Sequence, residues 1–309
     1  MGYKETKEFS DQKLKELRAK LPTIVPKGEL VVTCGSYARR EAVSDSDLDF
    51  FSVSNSASEE PDWFIGVKKA ATDIGARPPS SGGAFSAVIP TSELLKNYGG
   101  SQDTNETITR RMLYLLEGEF LTEKDAFIDL RRQIIDKYVS NTPRDHQLAF
   151  YLLNDVIRYW RTIAVDYAQK TQGDDKPKPW AIRNVKLVFS RKMIYASGLF
   201  TVALTADRRA TAKSEILESL LSMTPIERIQ YVCGDAQSKR LFEIYDMFLE
   251  RMADKEVRSH LETLPLERRI EDPVFRDIKN EGHYFSRELM GLFHRTFHTS
   301  HAIHMAVVF

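Results

Sequence analysis

The stretch from Val31 to Val53, VVTCGSYARREAVSDSDLDFFSV, restricts the possible folds more than any other part of the chain. A short apolar run, Leu30-Val31-Val32, leads to Gly35-Ser36. After ten intervening residues comes Asp47-Leu48-Asp49, followed at once by a second apolar run, Phe50-Phe51-Ser52-Val53. Side chains alternate faces along a strand, so Asp47 and Asp49 point the same way, with Cα atoms about 6.6 Å apart. Leu48 and Phe50 point the other way, towards a core. Two carboxylates side by side, with nothing apolar between them, repel each other unless a cation sits there. Hard oxygen ligands of this kind suit Mg²⁺, which takes one or two carboxylates and completes its shell with substrate phosphates.

Gly35-Ser36 supplies the complementary half. Glycine lets a backbone approach a phosphate closely and adopt angles barred to other residues. Ser36 offers a hydroxyl and an N–H at the expected start of a helix, Tyr37 to Ala42, where backbone donors and the helix dipole favour an anion. The stretch reads as strand, phosphate-holding turn, short helix, metal-binding strand. Arg39, Arg40 and Glu41, which follow the turn closely, are expected to steady it by pairing internally, the other reading being a contact with substrate.

On Gly35-Ser36, Ser46, Asp47 and Asp49, this pattern resembles that of the DNA polymerase β-type nucleotidyltransferases. The fuller string GSYARREAVSDSDLD is similar to the bacterial branch that includes the uridylyltransferase of the nitrogen-signalling PII protein, and to sensor-linked nucleotidyltransferases. The resemblance implies Mg²⁺-dependent transfer of a nucleoside monophosphate from an NTP to an acceptor hydroxyl, with release of pyrophosphate. Two ions are expected on Asp47 and Asp49, and terminal phosphates on Gly35 and Ser36. The acceptor is left open among protein, RNA and small molecule, with a tilt to a protein or regulatory target.

Such enzymes usually place a third carboxylate on a strand that falls here at Ala84 to Ile89, where the sequence has no acid. The nearest downstream is Asp103, a candidate third catalytic acid whose other reading is a turn or cap residue. Relatives with a helical second domain often present a Lys and a Ser to the triphosphate, which makes Lys186 and Ser190 candidate nucleotide-binding residues. The missing acid also leaves open a catalytically weak, nucleotide-binding regulatory relative.

The 309 residues suffice for two domains, and 42% hydrophobic with 28% charged residues describes an ordinary globular chain. Forty-four basic and 44 acidic residues cancel, so there is no general polyanion-binding field and no strong nucleic-acid signal. Cys34 and Cys233 alone make neither a disulfide framework nor a zinc site. No run of 18 apolar residues and no signal peptide is present, so a cytoplasmic protein without a membrane partner is expected.

Spacings of three and four predict helices over 9–21, 63–74, 107–118, 122–138, 147–169, 180–201, 236–253 and 285–308, with Thr224-Pro225-Ile226-Glu227 starting another. The expected fold is α/β: a small mixed-sheet nucleotidyltransferase domain over 1–140, followed by an all-helical domain over 141–309. His294, His298 and His301 fall at i, i+4 and i+7 of the last helix, a spacing like that of metal ligands. Arg295 with His301 also fits the loose pattern of HEPN ribonucleases, an alternative from a different class.

Overall fold

The computed structural model of the chain describes residues 1–54, 60–79, 88–96, 98–99, 101–140, 144–173 and 179–308. Its first helix, α1 (Tyr3–Lys20), buries Leu14 and Leu17 and turns its many charged residues outward. The helix starts earlier than the leucine spacing predicts, and Glu5 in its first turn complements the helix dipole there.

Then follow β1 (Leu30–Cys34), the single turn α2 (Gly35–Ala38), β2 (Asp49–Ser54), α3 (Trp63–Asp73), β3 (Val88–Pro90), α4 (Thr91–Leu95), α5 (Asn105–Leu116), β4 (Glu119–Phe120) and α6 (Lys124–Val139). Among the described residues the sheet has four strands, in the order β3-β2-β1-β4. It is mixed: β1 runs antiparallel to β2 and β4, and β3 runs parallel to β2. The third strand is thus Val88–Pro90; residues 84–87, where it was also expected, lie outside the described residues.

Every residue of β1 is buried, because both faces of the sheet are covered. On one face Val31, Leu48 and Phe50 pack with Leu14 and Leu17 of α1 and with Phe64 and Val67 of α3. On the other, α5 and α6 lie against β1. Each large side chain in that core contributes about 1.5–3 kcal/mol by leaving water.

Residues 3–144 together with 209–224 form one compact unit; residues 1–2, 145–208 and 225–309 form a second. The division falls at 144/145, a few residues after the expected 140/141. One segment crosses it: α10 (Ala210–Leu221) joins the sheet unit, although it comes after α7 (Phe150–Ala168), α8 (Trp180–Lys186) and α9 (Lys192–Ala203). Polar contacts with α6 account for this. Glu218 accepts from Arg132 at 3.0 Å, and Ser214 donates to Asp136 at 3.0 Å.

The helical unit continues with α11 (Pro225–Cys233), α12 (Asp235–Ala253), α13 (Lys255–Thr263), α14 (Pro273–Thr296) and α15 (Ala302–Val308). Two expectations need correction. The helix expected over 180–201 is interrupted by a π-helical turn at Leu187–Arg191, between α8 and α9. The helix expected over 285–308 is two helices. The first begins at Pro273, where the Asp272 carboxylate caps it by accepting from Phe275 N–H at 2.7 Å. It ends at Thr296. Beyond it, ring nitrogens of His298 and His301 accept the backbone N–H groups of Ser300 and Ile303, which diverts those donors from a helical ladder. Among the described residues, no helix is long and apolar enough to cross a membrane.

Candidate active site

The site is built from the turn after β1. Gly35 sits at φ +74°, in the left-handed region that glycine tolerates. A Cβ there would lie 2.8 Å from Oδ2 of Asp49, so the missing side chain is also what lets the turn rest against that carboxylate. Asp49 stands opposite Cys34 in the β1–β2 ladder, and Thr33 Oγ1 donates to its carbonyl at 2.8 Å.

The helix after the turn is shorter than the sequence suggests. It stops at Ala38, and Arg40 turns the chain at φ 65°. The Arg40 guanidinium compensates this unfavourable backbone by donating to Asp11 at 2.6 Å, to Glu119 at 3.2 Å and to the Ala38 carbonyl at 2.9 Å. Arg39 is buried between two carboxylates, Glu41 at 2.8 Å and Glu117. Backbone N–H groups of Arg39 and Glu41 meanwhile bind the carbonyls of Gly35 and Ser36, at 3.0 and 2.8 Å. These charges therefore brace the turn.

Ser46, directly before the acids in the chain, is buried. Its hydroxyl accepts from Val43 N–H at 3.0 Å, and its carbonyl accepts from Arg77 N–H at 3.1 Å. Leu48 N–H donates to the Arg77 carbonyl at 2.8 Å, which holds Asp47 in a parallel bridge to Arg77. Leu48 and Phe50 are wholly buried while Asp47 and Asp49 are half-buried, so the two carboxylates keep access to solvent. Tyr37 is buried, and its hydroxyl has no hydrogen-bond partner among the described residues. Burial and the negative charge of Asp47 push its pKa up to about 12. Sequence reasoning missed both Arg77 and Tyr37: the first is distant in the chain, and the second was taken only as the start of a helix.

A divalent cation fits this arrangement. Asp47 and Asp49 are half-buried hard-oxygen donors two residues apart, and the space that a Cβ at Gly35 would fill lies directly at an Asp49 oxygen. Among the described residues no third His, Cys, Asp or Glu joins them in a ligand cluster.

Asp103 lies just before α5, where Thr104 caps the helix. Its carboxylate receives Arg111 at 3.0 and 3.2 Å, Gly99 N–H at 2.9 Å and Thr107 Oγ1 at 3.1 Å. Burial alone would raise this carboxyl; those donors outweigh it and hold it below the usual carboxylate range. The pair with Arg111 gives Asp103 a structural task.

Lys186 and Ser190 lie in the helical unit. Lys186 is exposed at the end of α8, and Ser190 is buried within the π-helical turn. The histidine spacing does not survive folding, because α14 ends before His298 and the three rings cannot share one helical face. His294 stacks instead on His304, with ring centroids 5.2 Å apart. Arg295 pairs with Glu288 at 2.6 Å, and burial pushes the His301 pKa down.

Residues 14–127 match the family model described as a nucleotidyltransferase domain. That stretch of the chain is similar to a nucleotidyltransferase domain. The match begins inside α1, takes in the Gly35-Ser36 turn, both acids and Asp103, and ends inside α6. A search of curated proteins finds no match to the chain.

Within the matched segment, Gly35→Ala is expected to be severe for its size. The left-handed backbone costs about 1 kcal/mol or more for a residue with a Cβ, and the methyl group would also displace the Asp49 carboxylate. Thermal melts should show a modest loss of stability and assays a much larger loss of turnover. Unchanged turnover would mean that the seat of Gly35 on Asp49 is unimportant.

Proposed function

We propose that this protein transfers a nucleoside monophosphate from an NTP to an acceptor hydroxyl, with release of pyrophosphate and with Mg²⁺ held by Asp47 and Asp49. The observation that carries the reading is the seating of left-handed Gly35 against the Asp49 carboxylate, within a segment matching a nucleotidyltransferase domain. When bound, the cation would offset triphosphate charge and polarise the phosphoryl group. The chain's own part is positioning. Backbone and hydroxyl donors of Gly35 and Ser36 orient the terminal phosphates, and the two strand-borne carboxylates fix where positive charge sits. The buried Arg39 pairs keep the turn from yielding. Similarity of GSYARREAVSDSDLD to the PII-modifying branch supports a protein or regulatory acceptor.

A second reading, nucleotide binding with little transfer, draws support from Asp103, because an acid committed to Arg111 leaves the site with two carboxylates. Incubation with each α-labelled NTP, Mg²⁺ and cell lysate separates the two. Label should appear on a discrete acceptor and disappear with EDTA. Tight NTP binding with no labelled acceptor would favour the second reading.

A further inference from the structure

A second concave region of the sheet unit lies away from the Gly35 turn. Strand β1 runs from Leu30 to Cys34, and β2 returns antiparallel to it from Asp49 to Ser54. A cavity of about 470 Å³ opens at the far ends of these two strands, against α6. Four residue steps along β1 set it about 13 Å from the Cys34–Asp49 end. Its volume falls within the range of small-molecule sites. Buried Leu30, Val53 and Leu130 give it an apolar wall, and Glu29, Ser54 and Asp129 add oxygens. The other lining residues are neutral, and among the described residues no lysine, arginine or histidine lines it.

Glu29 differs from its neighbours in charge pairing. Several other buried or half-buried acids of the sheet unit meet an arginine: Glu41 and Glu117 meet Arg39, Glu93 meets Arg110, Asp103 meets Arg111 and Glu119 meets Arg18. Among the described residues no cationic side chain lies within ion-pair distance of half-buried Glu29. Its carboxylate accepts from the Ser54 hydroxyl at 3.5 Å, too long a bond to offset much charge. The backbone that carries it is pinned. The Glu29 carbonyl accepts from Thr122 Oγ1 at 2.7 Å, and Gly28 N–H donates to Glu123 at 2.8 Å. Asp129, exposed on α6, already shares its charge with Arg132 at 3.4 Å. A partly desolvated carboxylate without a counter-charge raises the energy of the fold, and a cation that fits the cavity reverses that. The apolar wall decides the kind of cation. A hard metal ion needs about six oxygen ligands, which Leu30, Val53 and Leu130 cannot supply. An ammonium or guanidinium group on an aliphatic body suits both the carboxylate and the wall.

We propose that this cavity binds a small organic cation, a primary amine or guanidine on an aliphatic body, with Glu29 as its counter-charge. The aliphatic part of the ligand rests on Leu30, Val53 and Leu130, and Asp129 adds attraction at the exposed rim. The site needs neither Asp47 nor Asp49, so it stands or falls apart from nucleotidyl transfer.

Calorimetric titration of the full chain with n-butylguanidine, n-butylamine and, as an uncharged control, n-butanol tests this. The two cations separate the possible head groups, and saturable binding of either supports the site. Binding of n-butanol should be at least about tenfold weaker, because it lacks the charge. Glu29→Gln keeps the side-chain size and should weaken cation binding about tenfold. It should melt no lower than the parent, since no ion pair is lost. Asp129→Arg, an exposed substitution of little consequence for folding, should weaken binding several-fold by placing a like charge at the rim. Asp47 and Asp49 are themselves acids, so the double variant Asp47→Asn with Asp49→Asn is titrated as well and should bind as the parent does. The proposal is overturned if neither cation binds at millimolar concentration or if n-butanol binds as well as they do. It is equally overturned if either folded cavity variant binds as the parent does, or if the Asp47, Asp49 double variant loses binding.

Discussion

Asp103→Ala should remove about 3–5 kcal/mol of folding stability, because it leaves a buried guanidinium without its counter-charge. The side chains of Asp103 and Arg111 are both 0% exposed, and Arg111 is further fixed by donating to Tyr138 Oη at 2.7 Å. Removing one partner also strands the Gly99 N–H and the Thr107 hydroxyl that the carboxylate accepts. The pH dependence has a definite sign. The Asp103 pKa is lower folded than its ordinary 3.8, so its contribution is fully present above that value. It is lost as pH falls through the lower folded value. Urea melts at neutral pH should show the loss, and a series towards pH 3 should show the variant converging on the parent. Turnover by the folded fraction separates the two readings of this acid. A metal-binding acid would cut turnover and spare NTP affinity; the ion pair leads us to expect a loss of stability alone. A neutral-pH difference below about 0.5 kcal/mol would contradict the structural assignment.

The parts of the fold that were legible in the sequence are those governed by local periodicity. Strands flanking Gly35-Ser36 and Asp47-Leu48-Asp49 declare themselves because apolar runs meet a turn residue and alternating acids. The amphipathic helices α3, α5, α6, α7 and α12 follow from spacings of three and four. Features set by distant contacts were not legible. Strand β4 is only Glu119–Phe120, defined by its pairing with Val32 and Thr33. The return of α10 to the sheet unit depends on partners in α6, roughly eighty residues away. The missed start of α14 is a different case, because Asp272-Pro273 is a cap followed by proline at the first helical position, a signal present in the chain. The false continuity at its other end came from reading histidines by spacing alone, when their ring nitrogens bind the backbone and end the helix.

In the site itself, the Gly35–Asp49 contact was implicit in the glycine, but its geometry was not. Nothing local tells that Arg39 reaches Glu117, or that Tyr37 brings a buried hydroxyl near Asp47. Such placements come from packing, where sequence separation carries no information.

The largest functional effect is expected at the two strand acids. Asp47→Asn with Asp49→Asn preserves shape and removes two like charges two residues apart in the chain, so the melting temperature should stay equal or rise. Turnover should fall on the order of a thousandfold or more, since charge stabilisation at the phosphoryl group is lost. Measuring Mg²⁺-dependent release of pyrophosphate from NTP by the folded double variant, beside the parent, tests the central claim most directly. The account predicts a parent rate abolished by EDTA and a stable variant with essentially none. A folded variant that releases pyrophosphate at the parent's Mg²⁺-dependent rate would contradict it.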